Sequence, residues 1–447
     1  MKLTTPTKVQ FVPGTSGYFV KDLAAVRTAP SYDPLVHNHI LTPLTPGFSK
    51  VVQPGSVISI LLHLPNNQIV VGDCVDVIFS GAANRDPLFI AEEHLPILED
   101  VVRPWLLKAD ISVFRPNSEK VDGLWPEVQK EGKGNGKITT GRLHSALRYG
   151  LSQALLSATA SVHALLPAEV IAREWRIDKH ALAKQPIDIL ALCHRNDFLQ
   201  LDRMIMKRIA ILPHASFVHV SDLGPGGGAL LEFVERVAKR IRETGAPGYE
   251  PKLHFDVYGT LGDLFPELSE LVSFMNELKR AAEPFELLIE SPVIETSREA
   301  QIARMADLRR ALRAAAESDA QTPTPGVPVQ IVADEWCNTL PDTQSFTDSG
   351  AVDYVQIKMP DLGGLHNTID AVLYCRSKGV GCCRSKGVGC CLGGSANETD
   401  VSARLSAHVA LATVPDFLLS KPGIGGDEGV MILGNEMGRG VAVLRDK

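Results

Sequence analysis

Between residues 186 and 423, eight short apolar runs alternate with stretches of helical spacing. The runs are PIDILAL (186–192), ASFVHV (215–220), KLHFDVYG (252–259), FELLIESP (285–292), VQIVADEW (329–336), DYVQIKMP (353–360), VGCCLGG (388–394) and FLLSKPG (417–423). Amphipathic segments such as ALLEFVERVAKRIRE (229–243) and AQIARMADLRRALRAAAES (300–318) lie between them. Strand–helix alternation requires parallel strands joined by helical crossovers. Eight such strands predict a (β/α)8 barrel. A doubly wound sheet is the alternative, but it expects a glycine-rich phosphate turn after its first strand. ALCHRND (191–197) is not one.

The first 165 residues have another rhythm. VISILLHL (57–64) and NQIVVGDCVDVIFSG (67–81) read as strands, and IAEEHLPILEDVVRPWLLK (90–108) has helical spacing. EVQKEGKGNGKITTG (127–141) is polar and glycine-rich, a loop, and GRLHSALRYGLSQALLSATASVHAL (141–165) reads as a long helix. A chain of 447 residues has room for this α+β unit beside a barrel. The predicted division is 1–165 and 166–447, in the α/β fold class.

Charge excludes some partners. The formal net charge is −7 and the pI is near 6.0, which argues against general binding to nucleic acid or an anionic membrane. MKLTTPTKVQFVPGTSGYFV lacks the basic start and apolar core of a secretory signal. No run reaches the roughly 18 apolar residues of a membrane span. The expected location is the cytoplasm.

Several barrel runs end on a polar residue that packing alone would not select. HFDVYG reaches Asp256, LLIESP reaches Glu290, and IVADEW reaches Asp334. VQIKMP reaches Gln356 and Lys358. The C-terminal strand ends of a barrel form one rim. One acidic residue at a strand end is commonly a helix cap. Three on successive strands, with a lysine on the next, are not explained by capping. They suit a hard divalent cation such as Mg2+. Lys358 shares a strand face with Gln356, which leaves Val355 and Ile357 facing the helices. Beside a cation, a part-buried lysine is expected to have a lowered pKa and to act as a base. The implied chemistry is proton abstraction next to a carboxylate, then elimination or reprotonation.

At these residues the sequence resembles methylaspartate ammonia-lyase, an enolase-superfamily family. The resemblance is carried by HFDVYGTLG (254–262), IESP (289–292), ADEWCNT (333–339), VQIKMPDLGG (355–364), GGSANET (393–399) and KPGIGGDEG (421–429), with SGAANRDPLF (80–89) and LPHAS (212–216) upstream. It implies removal of ammonia from L-threo-3-methylaspartate to give mesaconate, in a TIM-type barrel with an N-terminal α+β capping domain. It makes Asp256, Glu290 and Asp334 the Mg2+ ligands; a monovalent cation such as K+ is compatible. Lys358 becomes the base for the C3 proton, and His214 the opposing base and a substrate-carboxylate contact. Gln356, Ser395, Ala396 and Leu419 become substrate contacts. The implied partner is a small amino diacid, and the implied assembly a homodimer.

The chain departs from the family pattern at three places. Ile78 stands where the family has glutamine, Leu192 or Cys193 where it has another, and Ser395-Ala396 where it has Thr-Cys. The departures suit either a subfamily with the same reaction or a shifted substrate preference. Another enolase-superfamily reaction (racemisation, cycloisomerisation or dehydration) is the alternative, but many of those enzymes carry Lys-x-Lys where this chain has LPHASFVHV. GKGNGKITT (132–140) lacks phosphate-loop spacing, and GPGGG (224–228) lacks its lysine.

One oddity remains. CRSKGVGC is written twice, at 375–382 and 383–390. Five of the eight cysteines (Cys375, Cys382, Cys383, Cys390 and Cys391) lie in or beside it, without the C-x-x-C spacing of zinc or redox motifs. Two threadings exist. The first copy ends the sixth barrel helix, with Gly379 as its stop, and the second feeds the seventh strand; or the first copy fills the strand and the surplus enters the rim. The first is favoured because it keeps VGCCLGG joined to SANET, and because doubling a loop costs only about 0.6 kcal/mol. A surplus in the rim would instead leave an inactive scaffold.

Overall fold

The computed structural model describes residues 4–31, 33, 38, 40–123, 142–318, 327–378 and 388–446. Three strands, β1 (Lys8–Lys21), β2 (Val52–His63) and β3 (Ile69–Val75), form an antiparallel sheet in that order. Eight more close a parallel barrel: β4 (Ile189–Leu190), β5 (Ile211–Ser216), β6 (Lys252–Asp256), β7 (Leu287–Glu290), β8 (Gln330–Ala333), β9 (Tyr354–Ile357), β10 (Gly389–Leu392) and β11 (Phe417–Leu419). The ring runs β10-β11-β4-β5-β6-β7-β8-β9, in chain order around the barrel.

The two-residue strand period divides each strand between two cores. Leu190, Ile211, Leu288, Val332, Tyr354 and Phe417 point inward and pack together as a plug. Ile289, Ile331, Val355 and Ile357 point outward into the larger core beneath the helices. Each such burial contributes about 1.5–3 kcal/mol. Two positions beyond the inward residues lie Glu290, Asp334 and Gln356, so the plug is the floor of a polar mouth.

One strand sits elsewhere than the pattern predicted. The run ASFVHV (215–220) is mostly connection; β5 is Ile211–Ser216 and holds Pro213. Proline weakens a strand reading because it gives no ladder hydrogen bond. β1 also went unread, since Pro13, Gly14 and Gly17 look like turns. It is an edge strand with a register shift between Thr15 and Phe19, where such residues are tolerated. The helical spacing at 90–108 is broken into Ala91–Ile97, a π-helical turn Leu98–Val102 and Arg103–Leu106, with Pro96 inside the first piece. The apolar run from Ile69 stops at Val75, because the Asp76 carboxylate turns the chain by accepting from Val77 N, Ser80 Oγ and Phe89 N.

The helix Ser145–His163 packs on β3 and is buried along most of its length. Gly150 and Gly72 make this approach close; a Cβ on either would strike the other element's backbone. Among the described residues, no single helix is long and apolar enough to cross a membrane.

The duplicated octapeptide follows the favoured threading at both described ends. Cys375–Lys378 of the first copy finish the helix Leu365–Lys378, and Gly389 and Cys390 of the second open β10. Gly379, Cys382, Cys383 and the start of the second copy lie outside the described residues, as do the 127–141 loop and GKGNGKITT.

Candidate active site

Asp256 and Glu290 are the last residues of β6 and β7, and Asp334 follows β8 directly. Three adjacent strands therefore deliver three carboxylates to one level. Each offers an oxygen within 4.8 Å of the others, and all are buried. Lys358 follows β9, and its Nζ is 2.5 Å from Asp334 Oδ2. Gln356 Nε2 donates to both oxygens of Glu290, at 3.0 and 3.1 Å.

His214 arrives by a different device. Pro213 pairs with His254 and Ala215 with Phe255, which leaves His214 as the extra residue of a bulge at φ 45°. Bulges re-aim side chains beside active sites. His214 Nδ1 is 3.0 Å from His254 Nδ1 and 3.9 Å from Glu290 Oε2. β5 and β9 stand four places apart in a ring of eight. His214 and Lys358 therefore rise from opposite walls of the mouth, with β6, β7 and β8 between them.

Left-handed backbone marks the same rim. Tyr258 (φ 46°), Ser291 (φ 48°), Trp336 (φ 67°) and Lys421 (φ 60°) each follow a barrel strand closely. Non-glycine residues take this conformation only where their surroundings fix it, often at functional sites.

Burial and mutual repulsion shape the electrostatics. Burial raises the Asp256 carboxyl well above its ordinary range, and the Glu290, Glu335 and Asp334 charges add to it. Glu290 is raised by burial and then by Asp334. Asp334 goes the other way: burial opposes ionisation, but Lys358 and Arg85 outweigh it. Burial also lowers His214 and His254, the latter to about 3, so both imidazoles are neutral at neutral pH. Among the chain's own groups, Lys358 is balanced between burial and a carboxylate. Burial pushes it down, but the adjoining Asp334 carboxylate outweighs burial and holds it above its ordinary value.

The three carboxylates present only oxygen donors, and Asp334 Oδ1 is buried without a hydrogen-bond partner among the described residues. That donor set fits a hard divalent cation.

The remaining candidates surround this centre. Ser395 and Ala396 lie buried in the loop after β10. The Ser395 hydroxyl accepts from Asn397 N at 3.2 Å, within its own loop. Leu419 ends β11 within the apolar plug. Of the departures, Ile78 packs with Leu23, Phe79 and Tyr258, Leu192 is half-buried, and Cys193 is buried.

Sequence reasoning missed several neighbours. Arg85 reaches in from the N-terminal part; its Nε donates to Asp361 at 2.9 Å and its Nη2 is 3.7 Å from Asp334 Oδ1. Glu335 is buried and accepts from Ser291 Oγ. His254 orients His214. Arg85 and His254 stand inside the quoted motifs, but only folding shows what they touch.

A closed (β/α)8 barrel beside an antiparallel sheet, with three carboxylates between a lysine and a histidine on its rim, defines a TIM-type barrel protein with an acidic site at the C-terminal ends of its strands. The likeness to a muconate lactonizing enzyme from Pseudomonas fluorescens (TM-score 0.57, 15% identity, covering 92% of this chain and 85% of that one) bears on the fold alone. The sequence is more specific. Residues 4–176 match the family model for the methylaspartate ammonia-lyase N-terminus, and residues 181–446 the model for its C-terminus. The chain belongs to the methylaspartate ammonia-lyase family and is a carbon–nitrogen lyase. It is 42% identical to methylaspartate ammonia-lyase 1 of Carboxydothermus hydrogenoformans over 438 residues, covering 98% of this chain and 96% of that protein. It superposes on Citrobacter amalonaticus methylaspartate ammonia-lyase containing (2S,3S)-3-methylaspartic acid with a TM-score of 0.84, at 37% identity, covering 99% and 100% of the two chains. The Mg-complex of β-methylaspartase from Clostridium tetanomorphum gives 0.81 at 36% identity, covering 99% and 100%.

Proposed function

We propose that the protein eliminates ammonia from L-threo-3-methylaspartate to give mesaconate, with Mg2+ held by Asp256, Glu290 and Asp334. The observation that carries this reading is the placement of Lys358 and His214 on opposite walls of one mouth, with three buried carboxylates on the strands between. The Citrobacter relative holds 3-methylaspartic acid and the Clostridium relative is an Mg-complex, which supports both halves of the reading.

Lys358 Nζ takes the proton from C3. The electron pair left behind forms the C2–C3 double bond, the C2–N bond breaks, and ammonia leaves. Lys358 is the accessible base: its side chain keeps 13% of its surface exposed, whereas the carboxylates have almost none. It needs a free lone pair, and engagement of Asp334 by another partner loosens that carboxylate's grip on the lysine proton. Bound to the three carboxylates, Mg2+ supplies Lewis-acid stabilisation for charge developing on the substrate carboxylate. His214 contacts a substrate carboxylate and serves as the base on the opposite face. Gln356 Oε1 is buried and has no hydrogen-bond partner among the described residues, which suits it to accept from the substrate ammonium. Ser395, Ala396 and Leu419 complete the contacts, and residues 1–165 cap the mouth. β5 reads ILPHAS, without the Lys-x-Lys of many racemases and cycloisomerases.

The test follows mesaconate by its ultraviolet absorbance, with Mg2+ and with EDTA. Metal-dependent ammonia release is expected; none from any amino diacid would sink the reading. The accompanying homodimer is tested by light scattering.

A further inference from the structure

Behind the rim lies an ion pair that the proposed reaction does not use. Lys421 Nζ is 2.9 Å from Glu398 Oε2, and neither side chain has exposed surface. Lys421 Nζ also donates to Gly393 O at 2.9 Å. Glu398 Oε2 accepts from Ser395 N at 2.9 Å, and Glu398 Oε1 accepts from Tyr149 Oη at 2.6 Å. Tyr149 belongs to the helix Ser145–His163, in the N-terminal part of the chain. One carboxylate thus ties the N-terminal part, the loop after β10 and the chain after β11 together.

A buried ion pair is a poor way to gain stability, because desolvation offsets most of the attraction. Here both charges are also hydrogen-bonded to their surroundings, and the backbone is shaped around them. A Cβ on Gly394 would clash with Glu398 and Lys421. A Cβ on Gly393 would lie 2.6 Å from Gln356 Oε1. The loop therefore closes on the pair only as Gly393-Gly394, and it lies flush against the Gln356 amide. Lys421 also keeps a left-handed φ of 60° to reach its partners. The same loop carries Ser395 and Ala396.

We propose that Glu398, Lys421 and Tyr149 are positioning residues. They set the seat of loop 393–396 over Gln356, and through it the affinity for the substrate, without touching the reacting atoms. The inference rests on the lyase reading for the identity of the ligand.

The deciding variant is Tyr149→Phe in the full-length protein, which keeps the ring and both charges. A Glu398→Gln/Lys421→Met double variant removes the charges together and avoids a lone buried ion. For each, Tm, KM and kcat for mesaconate formation are measured. Amide hydrogen exchange across residues 393–399 reads the loop without substrate. Tyr149→Phe is expected to raise KM about tenfold with kcat within about twofold, the scale of one lost hydrogen bond to a charged group. Exchange at Ser395 should quicken, and the double variant should raise KM further. A plain brace would lower Tm and leave KM and Ser395 exchange at wild-type values; that result overturns the proposal. Absence of ammonia release from wild-type protein would sink the lyase reading, and unchanged exchange in Tyr149→Phe would still overturn the positioning role on its own.

Discussion

Lys358 Nζ stands 2.5 Å from Asp334 Oδ2, so the proposed base and a proposed metal ligand share one hydrogen bond. The pair separates two roles for the lysine. Lys358→Arg keeps a cation beside Asp334 but cannot give up its proton at neutral pH. Lys358→Ala removes both. If proton abstraction is the role, both variants fold and both lose kcat by about 10²–10⁴-fold, the range for a general base. Near-wild-type turnover in Lys358→Arg would reduce the lysine to a counter-ion.

The carboxylate cluster makes a prediction about stability. Asp256 and Glu290 are raised by burial first and then by neighbouring charges. A raised folded-state carboxyl favours the fold while protonated. That stability is full below the ordinary carboxyl pKa of about 4 and is lost as pH rises through the folded value. Metal-free wild type should therefore lose Tm as pH rises above about 4 more steeply than metal-free Asp256→Asn. Mg2+ should raise the wild-type Tm and barely move the variant. Thermal scans with EDTA and with Mg2+ check both; equal slopes in the two proteins would count against repulsion at this site.

These residues show what a sequence can and cannot reveal. Asp256, Glu290, Asp334 and Lys358 were legible because each breaks an apolar strand pattern at its C-terminal end, where a barrel gathers side chains. His214 was legible only through its motif. Its strand was misplaced by four residues, because Pro213 hides β5 and a bulge turns the histidine inward. Arg85, Glu398 and Lys421 lie inside quoted motifs, but nothing local in the sequence gave them a role. Their partners lie far along the chain (Arg85 meets Asp361, and Tyr149 meets Glu398), and only closure of the barrel under the sheet joins them. The Asp334 contact of Lys358 was hidden for the same reason: spacing pointed to a cation site, while folding put a carboxylate within hydrogen-bond reach of the lysine.

A second pH effect lies outside the site. Glu436 accepts from His408 Nε2 at 3.1 Å and from Arg439 and Arg404 at 2.6 and 3.1 Å. The His408 hydrogen bond, with Arg439 behind it, brings the carboxyl down to about 2. A depressed folded-state pKa contributes stability above the unfolded value and loses it as pH falls through the folded one. Glu436→Gln should lower Tm at pH 7, and its gap from wild type should shrink between about pH 4.5 and about pH 2. A gap that persists at the acid end would show that packing, not charge, is lost.

Deleting either copy of CRSKGVGC gives one and the same chain, so a single deletion variant tests the duplication. Both ends of the repeat are anchored in the fold. Cys375 Sγ is 3.4 Å from Thr347 Oγ1, and Arg376 Nη1 donates to Thr413 O at 2.7 Å. At the other end Cys390 N donates to Asp416 Oδ2 at 2.8 Å, and Gly389 pairs with Tyr354. A single copy can serve both ends, since CRSK finishes the helix and its closing Gly-Cys opens the strand. The connection would shorten from the ten residues 379–388 to two, Gly-Val. That is the short end of the two to six residues common between helix and strand, so one copy still spans the gap. The change falls at the N-terminal end of β10, away from the rim where Lys358 and the carboxylates stand. Deletion of residues 375–382 should therefore leave kcat and KM unchanged or improved, because the rival strand candidate that could slide into the β10 slot is gone. A large loss of activity with Tm intact would mean that the second copy contributes to function.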